Sequence, residues 1–310
     1  PLEKIGGGSL TLSAANTYSG ATTVTAGTLV VTGSIASAVV TVEDTATLEV
    51  DGAAISNTAA VTLNDSGKLA LTGSETIGSL EGDADATVTL GANTLTTGDT
   101  NSTEFAGVIS GVGGALVKNG AGTFELSGDN TYTGTTTVNA GVLHVTGKVA
   151  GNVTVDEGKL VIGNSDAIGG SITTTGSVIS YADTVVEASA IILNSADTQL
   201  EVLTGESAEQ SGIISQFDAT DRPLEKIGGG SLTLSAANTY EGATTVTAGT
   251  LVVTGSIASA VVTVDNDATL EVDGSAISNT AAVTLNDTST LNLTGNEYIV
   301  SLAGASGSFV

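Results

Sequence analysis

The chain has 310 residues, of which 40% are hydrophobic and only 3% aromatic, and 33 acidic against 7 basic side chains give a net charge of −26. That balance excludes the basic stripe that nucleic acid requires, and it repels an anionic membrane surface. The absence of cysteine excludes a disulfide scaffold and a thiolate metal site, and no 18-residue apolar run is present to span a membrane.

The apolar residues are β-branched and regularly placed, which separates this chain from an acidic disordered tail. Forty-one glycines and abundant Thr and Val weigh against helix through backbone entropy and restricted χ1. The recurring element is a short alternating strand, a turn and a second short strand. Val40-Thr41-Val42, the turn Glu43–Ala46 and Leu48-Glu49-Val50 form one instance. Val61-Thr62-Leu63, Asn64–Gly67 and Leu69-Ala70-Leu71 form the next, and Val153-Thr154-Val155, Asp156-Glu157-Gly158 and Leu160-Val161-Ile162 another. Alternation with Thr, Glu or Ala gives each strand one inward and one outward face. The leading residues Leu29, Leu48, Leu69 and Leu95 are 19, 21 and 26 apart, a spacing that suits the coils of a solenoid.

The strongest long-range signal is a duplication. Residues 1–65 return as 223–287 with five differences: Ser19/Glu241, Glu43/Asp265, Asp44/Asn266, Thr45/Asp267 and Ala53/Ser275. The offset is 222 residues, and both prolines, Pro1 and Pro223, mark the same point. A solenoid uses such copies because each unit buries its open face on the next. At roughly 20 residues per coil one period makes about 11 coils and advances roughly 50 Å. The expected organisation is one continuous solenoid over 1–310. Residues 1–222 form a full long repeat with half-repeats of about 1–108 and 109–222, and 223–310 begin a second. Since 310 − 222 = 88, the sequence stops inside that second period, as a segment of a longer array would, with any export signal or anchor expected elsewhere.

The half-repeat rests on Asn16-Thr17-Tyr18, Asn130-Thr131-Tyr132 and Asn238-Thr239-Tyr240, whose tyrosines lie 114 and 108 apart. Around them the chain resembles the autotransporter-associated β-strand repeat, LxKxGxGxLxLSGxNTYxGxTTVxAGxLxV. The first copy matches through Leu2, Lys4, Gly6, Gly8, Leu10, Leu12, Asn16, Thr17, Tyr18, Gly20, Thr22, Thr23, Val24, Ala26, Gly27 and Leu29, and the third through their equivalents 222 later. The middle copy runs from Leu116-Val117-Lys118 to Val142-Leu143. The resemblance implies an all-β, right-handed parallel β-helix with coils of about 20 residues. It also implies a large, secreted or surface-displayed bacterial passenger, commonly an adhesin. Gly113-Gly114 departs from the third copy, whose lead-in is longer: Ile109 to Lys118 is 9 positions, whereas Ile214 to Lys226 is 12. The extra residues, Phe217–Pro223, contain the only arginine, Arg222, and are expected to stand off the coil.

A search for chemistry returns no catalytic, cofactor-binding or metal-binding residue. His144 is the single histidine and alternates with Leu143 and Val145, so it is expected to face solvent. Gly67-Lys68 and Gly147-Lys148 lack the Ser or Thr of a P-loop, and Gly6-Gly7-Gly8 lacks a dinucleotide-binding context. Glu43-Asp44 and Asp156-Glu157 fall in turns, and the first pair drifts between copies, unlike catalytic carboxylates held at a fixed separation. Asp83-Ala84-Asp85 and Asp265-Asn266-Asp267 offer oxygen ligands without an EF-hand loop. The expectation is therefore no cofactor, a structural calcium being the one metal those oxygens would suit. Outward threonines such as Thr23, Thr41 and Thr62 are the ordinary polar choice for a solvent-facing strand. In the Asn-Thr-Tyr triplets, Asn is expected to stack in a corner and Tyr to cover the coil edge.

The function expected is that of a non-catalytic shaft or stalk in a bacterial surface adhesin or extracellular filament, supporting attachment or cell–cell contact. The alternative is a carbohydrate-binding or polysaccharide-cleaving β-helix. Expected partners are adjacent repeats of the same chain or packed copies, together with surface glycans or proteins of a host or neighbouring cell. No nucleic acid partner and no membrane insertion by this segment are expected.

Overall fold

The computed structural model describes residues 1–265 and 267–310. The described residues form no helix, and their strands pair in parallel as a β-solenoid of about 16 turns of roughly 19 residues. Two compact units, Pro1–Val153 and Thr154–Val310, divide the chain.

In the first unit a long sheet runs through Leu2–Lys4, Thr22–Val24, Val39–Val42, Ala60–Leu63, Ser79–Gly82, Thr103–Phe105, Thr123–Leu126 and Val142–Val145. A second face stacks Ser9–Leu12, Thr28–Val31, Thr47–Val50, Lys68–Leu71, Thr87–Thr89 and Val108–Ser110. A third stacks Glu75–Thr76, Thr94–Thr97, Ala115–Lys118 and Thr136–Val138. The chain visits these faces in turn, so every strand pairs with residues about one coil away in sequence. That is the parallel arrangement hairpins cannot make.

The second unit repeats this plan. Its long sheet contains Lys159–Ile162, Val178–Tyr181, Thr198–Val202, Leu224–Ile227, Thr244–Val246, Val261–Val264, Ala282–Leu285 and Ser301–Gly304. Its second face holds Val186–Glu187, Ser207–Gln210, Ser231–Leu234, Thr250–Val253, Thr269–Val272 and Thr290–Leu293, and its third Ile172–Thr174, Ile191–Leu193 and Ile214–Gln216.

Burial follows the alternation read from the sequence. In Thr47–Val50 and Ala60–Leu63 buried residues alternate with half-buried ones. Register aligns Leu10, Leu29, Leu48, Leu69, Val88 and Ile109 into one inward column, and Leu232, Leu251, Leu270 and Leu291 into another. Stacking like side chains at the strand spacing fills the interior without voids. The expected column is corrected at one position. Val88 follows Leu69, whereas Leu95 pairs with Glu75 on the third face, because an intervening strand of the coil was hidden in Glu75–Thr76.

The half-repeat is out of phase with the coil. Lys4 lies in the long sheet of the first unit, whereas Lys118 lies on the third face. Between them the long sheet receives strands beginning at Thr22, Val39, Ala60, Ser79 and Thr103, and the second face then receives Val108–Ser110. The second copy is therefore rotated by one face relative to the first, and its side chains make the same local contacts there.

Candidate functional site

The residues that define the repeat converge inward, on the backbone. Lys4, Lys118 and Lys226 share the parity of the leucines before them (Leu2, Leu116, Leu224), and all three are buried. The Lys118 ammonium donates to the carbonyls of Asn119 at 2.6 Å, Gly120 at 2.9 Å and Ala140 at 3.2 Å. Lys226 donates to Ile227 and Gly228, both at 2.8 Å, and to Gly230 and Ala248, both at 3.1 Å. Each ammonium thus ties its own turn to the turn of the next coil, satisfying carbonyls that would otherwise be orphaned. Burial lowers the Lys118 pKa and brings that of Lys226 to about 8, opposed by the charges of Asp99 and Glu201 respectively.

The Ala-Gly step of the motif closes this nest. Gly27, Gly141 and Gly249 have φ of 71°, 64° and 69°. A Cβ on Gly141 would stand 2.5 Å from the Gly120 carbonyl oxygen, and on Gly249 2.3 Å from that of Gly230. Only glycine satisfies both the left-handed backbone and the close approach.

Asparagine is the corner staple. Asn130 Oδ1 accepts from the Ile109 N–H of the preceding coil at 2.9 Å, while its Nδ2 donates to Gly128 at 2.8 Å and to Lys148 in the following coil at 3.1 Å. Asn238 does the same with Ile214, Ala236 and Ser256. Tyrosine departs from the expectation: Tyr132 and Tyr240 are fully buried rather than laid over the coil edge. Their hydroxyls bond Thr136 and Thr244, Tyr240 at 2.9 Å, which supplies the polar partner a buried phenol requires. Burial raises both pKa values, that of Tyr240 to about 12.

Other buried polar groups escaped the sequence reading. Glu75 Oε2 accepts from Ala54 N–H at 2.8 Å and Ile55 N–H at 3.3 Å, and burial raises its pKa against those bonds. Glu187 is fully buried with its pKa raised, chiefly by burial. Its Oε1 accepts from Ser189 N–H. Gln210 links Tyr181 to the carbonyls of Ser189 and Gly212. The available signal was parity: each sits where its strand turns inward.

The remaining candidates stay apart. His144 faces outward, 3.7 Å from Glu125 Oε2. Asp44, Asp83, Asp85, Asp156, Glu157 and Asp267 are exposed in turns, while Asn266 lies outside the described residues. Among the described residues no group of three or more His, Cys, Asp or Glu is arranged to hold a metal ion. The insertion leaves the strand path at Phe217, and 217–221 are exposed. Arg222 folds back, donating to the Asn194 carbonyl at 2.9 Å and pairing with Asp218 at 3.2 Å. Beside it, on the long sheet of the second unit, lies an open polar groove of about 560 Å³ whose walls include Asp197, Gln199, Glu225, Thr245, Thr247 and Asp265.

Comparison with known proteins matches three segments, 2–31, 116–145 and 224–253, to the passenger-associated-transport-repeat. The chain is also similar to the adhesin BmaC autotransporter of Brucella suis biovar 1 (strain 1330), with 38% identity over 91 residues. That stretch is 28% of this chain and 3% of the length of that protein. No solved structure matches the chain. The Lys, Asn-Thr-Tyr and Ala-Gly positions described above all fall within the matched segments, and the chain belongs with the passenger-type repeat proteins its sequence resembles.

Proposed function

We propose that the chain is a non-catalytic shaft of a surface-displayed bacterial passenger, holding an adhesive part away from the cell. The observation that carries this reading is where the motif spends its polar side chains. Lys, Asn, Tyr and Thr of each copy turn inward to bond the backbone of neighbouring coils, and no set of them converges on an opening. The similarity to an adhesin autotransporter supports surface display and attachment. The acidic exterior suits an exported shaft that must not clump laterally.

The groove beside Pro223 favours a second reading, a carbohydrate-binding face, because carboxylates, an amide and hydroxyls line it. No aromatic ring is among its lining residues, which removes the usual stacking platform. The two readings separate in cells displaying the parent protein. In-register removal of 222 residues is expected to weaken attachment, and the pair Asp197→Asn with Glu225→Gln to leave it unchanged. Loss of attachment in the pair variant at full length would overturn the shaft reading in favour of the groove.

A further inference from the structure

The open face of the coil holding Leu2–Lys4 and Ser9–Leu12 has an identical counterpart that is covered. Residues 223–240 repeat residues 1–18 without a difference, and in the second unit they sit on the coil that runs from Thr198 to Arg222. Thr198 pairs with Leu224, Gln199 with Glu225 and Leu200 with Lys226. Ser207 through Gln210 pair with Ser231 through Leu234. Side chains complete the joint: Ile214 N–H donates to Asn238 Oδ1 at 2.8 Å, and Gln199 Nε2 to Glu225 Oε2 at 2.7 Å.

We infer that the face presented by Leu2–Lys4, Ser9–Leu12 and Asn16 is a docking surface for a coil of the Thr198–Arg222 kind, so that the 222-residue unit is compatible with itself end to end. The receiving groups are all present. Leu10 is 39% exposed where Leu232 is fully buried, and Asn16 already holds Ala14 and Ser34 through Nδ2, as Asn238 holds Ala236 and Ser256. The nearest difference between copies, Ser19 for Glu241, does not disturb the joint. Glu241 contributes its backbone N–H, to Gln216 Oε1 at 2.9 Å, and serine carries the same donor. The occupant is fixed by chemistry as well as shape. Gln199 must reach Glu3, the Ile214 N–H must reach Asn16, and Gln216 must reach residue 19. A coil such as Thr47–Asn64 offers Leu48 and Val50 for the interior but lacks that set of donors and acceptors.

The inference is independent of what the array attaches to. It is tested by placing a second copy of residues 154–222 directly before Pro1 of the full chain and following amide hydrogen exchange. Protection at Leu10, Thr11 and Leu12 is expected to rise by about tenfold or more, to the level of Leu232, Thr233 and Leu234. In the extended chain Asn16→Ala is expected to reverse the gain at the corner. Unchanged protection at Leu10–Leu12, or an added segment that itself stays labile, would overturn the inference. So would equal protection from an added segment of residues 21–88, since the face would then accept any coil.

Discussion

The stretches Pro1–Tyr18 and Pro223–Tyr240 have one sequence and two environments, and their differences isolate what a neighbouring coil supplies. The lysine nest forms in both. Lys4 donates to Ile5, Gly6 and Ala26, just as Lys226 donates to Ile227, Gly228 and Ala248. It is therefore set by the turn and by the coil that follows. The Leu10/Leu232 pair behaves oppositely, 39% exposed in one copy and sealed in the other, and Tyr18 is half-buried where Tyr240 has no exposure. Turn chemistry is local, whereas core formation belongs to the stack. That division is the nearest-neighbour behaviour of a one-dimensional repeat protein.

The largest test of this comparison is the leucine pair. Leu232→Ala opens a cavity between two coils and is expected to cost about 3 kcal/mol, while Leu10→Ala removes a partly hydrated side chain and should cost roughly 1 kcal/mol. Local exchange protection in Ser231–Leu234 and in Ser9–Leu12 reports the two costs separately, which a single melting curve would merge. Equal costs would mean that the covering coil contributes nothing at this position.

A subtler test is pH. The folded pKa of Lys226 is lowered from 10.5 to about 8 by burial. Between those values the unfolded segment binds more protons than the folded one, so linkage makes this coil more stable as pH rises through that window. Below pH 8 both forms are charged and the burial penalty is fully present. Glu75 runs the other way. Its folded pKa is raised above 4.5, so its contribution is complete below 4.5 and is lost as pH rises through the folded value. Exchange protection around Val246–Gly249 should therefore increase from pH 8 to 10.5 relative to a Lys226→Met variant. A flat difference between the two proteins would remove the buried ammonium from the account.

Much of the architecture was legible because a parallel solenoid writes its register into the chain. Alternation placed the inward faces, and Leu29, Leu48 and Leu69 marked successive coils correctly. What failed to show were polar side chains at inward parity. Lys118, Glu75, Glu187 and Gln210 read as surface residues by type, yet they are buried because orphaned carbonyls and amides at the corners need partners. Tyr132 was misread for the same reason: its hydroxyl suggested an edge, while Thr136 provides a partner inside. The rotation of the second copy was hidden too, since 114 residues is not a whole number of turns and strand membership is decided by pairing alone.

The smallest effect concerns one of the five positions at which the two copies differ. Thr45 and its counterpart Asp267 both adopt left-handed backbone, with φ of 61° and 58°. A β-branched side chain crowds the following carbonyl in that conformation, whereas Asp tolerates it. Thr45→Asp is thus expected to stabilise its turn by about 0.5–1 kcal/mol, and Asp267→Thr to destabilise the other by a similar amount. The added charge beside Asp44 is solvated and should subtract little. Partner groups differ, because Thr45 N–H donates to Ser66 Oγ while Asp267 Oδ1 accepts from Thr288. Exchange at Ala46 and Ala268 reads the two turns directly. If Asp267→Thr destabilises while Thr45→Asp is neutral, the bond from Thr288 rather than backbone strain accounts for the aspartate, and the two turns differ in their neighbours just as the two ends of the duplication do.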